Sequence, residues 1–413
     1  MNCFRINLYL TLKHFLLSFF IKEEKINEKI CDFLKFQSKK KEVILTSQLR
    51  VGFILVLKYL KKKYPKKNQI ILNSYNLAEM VNICKNLKLQ IIFPNLNSNL
   101  FISDKNLKKK INNKTLAVVT TNIFNTYEDI KKVKRVCNNK KVPLIEDNAI
   151  YFGNFKKVKN KKIYSGSFGD FSLNSFNIMK NISAMFGGSV STNDKNFIKF
   201  VNNEIINFRK FPYVIYFKQC IIFLILKILK IGFIYKLFFL NLIKYANKSQ
   251  NKFILSLVYP SLKFKIQTFP DYYFSKINKL TKKMIFLQLN DKRNFENNHK
   301  AKMENNIYYY KKIKKIKSDN VQLMKYIDPT FQNFNDFPII VKKKEKLVKF
   351  LFEKGIETKT IQYLDCQKIF KSKDSNINQN YEDKVLCLPN HKNIKKKYMD
   401  FVVKNLFKFY ETA

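Results

Sequence analysis

Glycine is scarce in this 413-residue chain: there are eight copies, alongside nine prolines and no tryptophan. Scarcity makes each retained glycine informative, because glycine tolerates positive φ and the close approach of another backbone. Five of the eight (Gly153, Gly166, Gly169, Gly187 and Gly188) fall in one stretch, which points to a site there. Seven cysteines, odd in number, widely separated and never in a C-x-x-C arrangement, exclude a disulfide framework and a zinc site, and fit a reducing cytoplasm. His14, His299 and His391 are too few and too dispersed for a metal centre, so no metal is expected. Arginine is short as well, supplying five of the 79 basic residues. The formal net charge of +49 would suit a nucleic acid, yet nucleic-acid readers lean on the planar guanidinium. Scattered lysines read instead as a solvated surface, and no nucleic-acid partner is expected.

Uncharged runs of the ~20 residues that a membrane span needs are also missing. Lys13 and His14 interrupt the apolar first 21 residues, which read as an N-terminal helix with no secretory cleavage pattern. Lys218, Lys227, Lys230 and Lys236, with Gly232 in mid-run, interrupt the apolar segment 211–245. Two readings of that segment stand side by side. It fits an interfacial anchor whose lysines meet anionic headgroups at the inner face of the membrane, and equally an inserted hairpin packed on the protein or on a second subunit.

What the chain does contain is a 46% hydrophobic composition, enough for a large core. From residue 41 short apolar runs alternate with helical spacing. "EVILT" precedes a helix from Arg50 to Lys61, and "QIILNS" (69–74) one that runs to Leu87. "LQIIFPN" leads to a helix near 104–111, "LAVVTTN" (116–122) to one from Tyr127 to Asn138, and "VPLIEDN" closes the series. This alternation predicts an α/β fold with a mostly parallel sheet and helices on both faces. Ligands of such sheets bind beyond the carboxyl ends of the strands, which places Ser74, Asn122 and Asp147 near one crevice. The expected organisation is an N-terminal helical segment at 1–40, a large domain at 41–268 with an apolar insertion at 211–263, and a smaller C-terminal α/β domain at 269–413.

Three features combine into a chemical constellation: Asp147 ending an apolar strand, Ser175-Phe176 ending another, and Lys180 shortly after. Pyridoxal phosphate needs such parts, namely a lysine to hold its aldehyde, a carboxylate facing its pyridinium nitrogen, and hydroxyls and backbone N–H groups for its phosphate. Taken singly, Asp147 reads as a turn residue and Lys180 as one of many surface lysines.

As a set, "IEDNA", "GSFGD" (166–170) and "SFNIMKNISAMFGG" (175–188) resemble the motifs of the DegT and StrS type of nucleotide-sugar aminotransferase. The resemblance implies the fold type I architecture of pyridoxal-phosphate-dependent transferases. It gives Lys180 the aldehyde, Asp147 the pyridinium nitrogen and Ser175 the phosphate, and lets Gly187-Gly188 turn the chain tightly into the next strand. "TSQLRVGF" stands where the family opens a helix onto the phosphate, with Leu49 contributing its backbone N–H and Arg50 its charge. "EKGIETK" and "LCLPNH" resemble segments of the family's small domain. Departures are the family's phosphate-turn glycine (Leu49), its ring-stacking aromatic (Leu77) and its Gln or His after the aspartate (Ile150). Its Asn-x-Arg has no counterpart in "DYYFSKINKL". The resemblance implies a cytoplasmic homodimer moving an amino group, from glutamate, to a nucleotide-linked keto sugar for an amino sugar or surface polysaccharide. The alternative is a family member that kept the fold as a binding or scaffold protein.

Overall fold

Runs rich in Val, Ile and Leu, bounded by polar breakers, form the strands of a seven-stranded sheet in the computed structural model, which describes residues 5, 8–22, 24–249, 268–316, 318–359, 363–370 and 381–412. The strands are β1 (Glu42–Thr46), β2 (Gln69–Leu72), β3 (Gln90–Ile92), β4 (Thr115–Thr121), β5 (Leu144–Asp147), β6 (Phe171–Ser175) and β7 (Gly188–Thr192). Their order is β1-β7-β6-β5-β4-β2-β3. Pairing is parallel from β3 to β6, while β7 runs antiparallel to both β6 and β1, so β7 alone is reversed. Every residue of β2, β4, β5, β6 and β7 is buried, as expected of strands covered on both faces.

The predicted helices fall where the periodicity puts them. The N-terminal segment differs: instead of one helix over the apolar run, α1 (Leu12–Phe20) starts only where Thr11 accepts a hydrogen bond from the His14 N–H, and α2 (Ile26–Ser38) follows a left-handed Lys25. Then come α3 (Leu49–Lys63), α4 (Ala78–Asn86), α5 (Asp104–Lys110), α6 (Tyr127–Asn139) and α7 (Lys195–Ile206). Thr126 and Asp129 form a reciprocal capping box that fixes the start of α6. The apolar insertion opens with α8 (Tyr213–Leu229) and continues through helical turns from Gly232 to Lys248. Its remainder, 250–263, lies outside the described residues.

Helices α9 (Lys279–Asn290) and α10 (Lys292–Lys315) lead to an antiparallel sheet of β8 (Val321–Leu323), β9 (Phe337–Val341) and β10 (Val385–Leu388). Against it lie α11 (Lys344–Glu353) and α12 (Lys396–Thr412), with α12 packed on α10 and α11. One apolar cluster runs from Val118 and Val133 beside the large sheet to Ile339 and Leu388 in the small one. Leu364–Asp365 also pairs antiparallel with Tyr75–Asn76. The small sheet is therefore seated on the carboxyl side of the large one.

Candidate active site

Strand β5 carries two adjacent carboxylates with different surroundings. Glu146 is fully buried and accepts hydrogen bonds from Asn122 Nδ2 (2.8 Å) and from the backbone N–H groups of Gly166 (2.8 Å), Phe168 (2.9 Å) and Gly169 (2.9 Å). Its role is to pin the "GSFGD" loop to the sheet. A Cβ on Gly169 would lie 2.6 Å from the Phe171 carbonyl oxygen, so the loop admits no larger residue there. Asp170 completes the tie by accepting from Leu144 N–H at 2.8 Å. Asp147 points the other way. It is 5% exposed and one oxygen accepts from Ala149 N–H at 3.0 Å. Burial pushes its pKa up to about 6, against the pull of the Ala149 N–H and of Lys180.

Lys180 sits in the turn after β6. Its N–H donates to Asn177 O (2.9 Å), and Ser183 Oγ donates to its carbonyl (2.7 Å). Burial lowers the Lys180 amine to about pH 8; Asp147 raises it, and the charges of Lys359 and Arg50 lower it further. Asp147, Lys359 and Arg50 therefore all lie near enough for their charges to act on the Lys180 amine.

Two long-range clamps hold the turn. Gln288 of α9 accepts from Ser183 N–H (3.0 Å) and donates to Ser183 O (2.7 Å). Lys302 of α10, 1% exposed, donates to Asn181 Oδ1 (2.8 Å) and to Asn335 Oδ1 (2.7 Å), while Asn181 Nδ2 donates to Phe152 O (2.7 Å). Burial brings the Lys302 ammonium down to about 7. Next to Asn335, Asp336 pairs with Lys359 at 3.0 Å.

The N-terminus of α3 abuts the same turn. Gly187, at φ 122°, donates to Ser47 O at 2.7 Å, and a Cβ on Gly188 would lie 2.7 Å from Leu49 Cα. The glycine pair lets β7 pass flush against the start of α3, where Gln48 and Gly187 form a parallel bridge; the first N–H groups of such a helix have no intrahelical acceptors. Ser47 Oγ and Gln48 Nε2 are buried there without a hydrogen-bond partner. Ser175, at the end of β6, pairs in register with Gly188. The Arg50 guanidinium bonds Glu79 at 2.7 Å and Tyr273 at 3.2 Å, so it serves as a fixed charge beside the helix terminus.

Other predicted positions are structural. The Asn122 amide donates to Glu146 and to Ser165 Oγ (2.9 Å), and Ser74 O accepts from Cys366 N–H (2.9 Å). Ile150 is buried in the core, and Leu77 precedes α4, packed between two apolar clusters. A cleft of about 500 Å³ lined by Lys40, Lys63, Asp170 and Asp194 opens at the amino ends of β5 and β6, the opposite edge from Lys180. Glu146 was legible as a second carboxylate in a buried strand. Lys302 and Lys359 carried no signal in so lysine-rich a chain.

These residues fit pyridoxal phosphate. The orphaned Ser47 hydroxyl, the free end of α3 and Ser175 face a phosphate's needs, Asp147 retains a carboxylate oxygen for a pyridinium N–H, and Lys180 offers an amine of lowered basicity. When bound, that cofactor supplies an electron sink for bonds at an amino carbon.

Residues 13–209 match the DegT/DnrJ/EryC1/StrS aminotransferase family. Over this stretch the chain is similar to that family. GDP-perosamine synthase of Escherichia coli O157:H7 is 36% identical over 94 residues, 23% of this chain and 25% of that protein. UDP-4-amino-4,6-dideoxy-N-acetyl-beta-L-altrosamine transaminase of Helicobacter pylori is 23% identical over 167 residues, 40% of this chain and 42% of that one. The chain thus spans about a quarter to under half of the length of these curated relatives. Helicobacter pylori PseC, an aminotransferase of pseudoaminic acid biosynthesis, superposes over 100% of both chains with a TM-score of 0.73 at 15% identity. A GDP-4-keto-6-deoxymannose-3-dehydratase with a trapped PLP-glutamate geminal diamine superposes over 98% of this chain and 100% of that one, with a TM-score of 0.69 at 18% identity. The expected α/β fold is therefore the observed one, that of the pyridoxal-phosphate-dependent sugar aminotransferases.

Proposed function

We propose that this DegT/StrS-type chain is a pyridoxal-phosphate-dependent aminotransferase that moves an amino group from glutamate to a nucleotide-linked keto sugar, for an amino sugar or surface polysaccharide. The observation that carries the reading is the convergence of Lys180 and Asp147, one with its basicity lowered and the other raised, beside the open N-terminus of α3. In this reading Lys180 Nζ would hold the cofactor's aldehyde and, as a base, would move a proton at the reacting carbon, roles that suit an amine of lowered basicity. Asp147 holds the proton on the pyridine nitrogen, Ser175 and the Leu49 N–H bind phosphate oxygens, and Arg50 adds its charge. The names of the relatives, all sugar-modifying enzymes, support the substrate class.

Two further parts of the reading are a homodimer, each subunit completing its partner's site, and a cytoplasmic location. Buried cysteines outside any disulfide, among them Cys84, Cys137 and Cys366, support a reducing compartment. The division into a helical segment at 1–40, a large domain at 41–268 and a small domain at 269–413 belongs to the same proposal. The testing experiment mixes purified protein, pyridoxal phosphate and glutamate and follows the cofactor's visible absorbance. Loss of that band with release of 2-oxoglutarate supports the reading. A colourless protein that binds nucleotide sugars would favour the scaffold alternative, to which the apolar Leu49, Leu77 and Ile150 lend support.

A further inference from the structure

Helices α1 and α8 form one continuous surface whose apolar side faces outward. Phe15 of α1 packs on Phe223 of α8 with ring centroids 5.1 Å apart, and Lys227 Nζ donates to Leu8 O at 3.3 Å. Along α8, Val214, Phe217, Ile221, Ile225 and Ile228 recur at helical spacing and are exposed, Val214 at 81% and Phe217 at 68%. A helix serving only the core would turn those residues inward; here Tyr216 and Phe223 alone are buried. Phe233 and Phe238 extend the patch, and Leu16 and Phe20 of α1 flank it, Phe20 being 81% exposed. So broad an apolar face marks an interaction site.

Charge identifies the partner. Between Glu204 and Asp271 the sequence has no acidic residue, while it has one arginine and ten lysines. Lys218 and Lys236 are exposed on the patch; Lys227 and Lys230 lie at its half-buried flank. Burial, Lys230 and Lys392 push the Lys227 ammonium down to about 8. A second copy of the chain would set these lysines against lysines. Among the described residues no helix is long and apolar enough to cross a membrane.

We propose that this face docks on an anionic lipid surface, with the apolar side chains entering the acyl boundary and the lysines meeting headgroup phosphates. The inference does not rest on the aminotransferase reading, because the patch shares no residue with the Lys180 site.

The test uses the full chain loaded with pyridoxal phosphate. It is sedimented with vesicles of phosphatidylcholine alone or mixed with phosphatidylglycerol, at low and raised salt, and its mass is measured by light scattering. Binding to the anionic vesicles should exceed neutral binding by tenfold or more and weaken with salt. A triple variant, Phe217→Ser with Ile225→Ser and Phe238→Ser, and a double variant, Lys218→Gln with Lys236→Gln, should each lose about tenfold or more of that binding. Both should keep their mass and cofactor absorbance, since all five positions are exposed. Failure to sediment with either vesicle type overturns the proposal. So does an apolar variant that halves the mass and leaves vesicle binding unchanged, which would make the face a contact between copies.

Discussion

Lys180 is one lysine among 74 and differs from the rest by its neighbours. Its amine loses a proton near pH 8, so uptake of pyridoxal phosphate by the apoprotein should accelerate from pH 7 to 9 and level off above. Lys359 and Arg50 lower that midpoint and Asp147 raises it. Lys359→Met should therefore move it upward and Asp147→Asn downward, measured by stopped-flow absorbance across the pH range. Asp147→Asn should still bind cofactor but turn over ~100-fold or more slowly, because an amide cannot keep the pyridine nitrogen protonated. Lys302 acts through the turn rather than on the substrate. Lys302→Met strands the Asn181 and Asn335 amide oxygens, at about 1–3 kcal/mol of stability. It should also loosen cofactor binding, with Lys302→Gln restoring part of the affinity in equilibrium titration; unchanged affinity in Lys302→Met would remove Lys302 from the site.

Among elements, the meeting of α3 with the Gly187-Gly188 turn sets the geometry of the candidate phosphate end. A methyl group at Gly188 runs into the Leu49 backbone, which cannot yield, so Gly188→Ala should cost about 1–3 kcal/mol in urea unfolding and weaken cofactor binding. Gly52→Ala on the same helix meets Val190 Cγ2 at 2.7 Å, a buried β-branched side chain that yields less readily than a long one but more readily than a backbone. It should cost less than Gly188→Ala, the clash being offset in part by the ~1 kcal/mol preference of helices for alanine. Glu146→Ala should cost about 3 kcal/mol or more by leaving three loop N–H groups unpaired. The strands and the helices between them were legible because buried β-branched runs and amphipathic spacing act locally. The break before Leu12 was not, because the apolar run from Leu8 to Leu10 has the same character as the helix it precedes, and the Thr11 cap divides them. Likewise "GSFGD" was legible in sequence only as a motif of the family it resembles, and that the N–H groups of Gly166, Phe168 and Gly169 serve Glu146 was not. That contact joins residues 20 or more positions apart.

Across the whole molecule, the small sheet closes over the edge where Asp147, Ser175 and Lys180 lie, and this arrangement was legible only through resemblance. Lys302 and Lys359 reach the site from beyond residue 300, and no periodicity announces such contacts. The proposed homodimer predicts twice the chain mass by light scattering and activity that fades on dilution below the dimer's dissociation constant; a fully active monomer would oppose shared sites. The central claim is that Lys180 is the cofactor lysine. Purified protein incubated with pyridoxal phosphate, reduced with borohydride, digested and analysed by mass spectrometry should carry the phosphopyridoxyl mass on the peptide containing Lys180, and Lys180→Ala should carry none. Label on Lys302, Lys359 or any other lysine in place of Lys180, or an unlabelled wild-type protein, would contradict it.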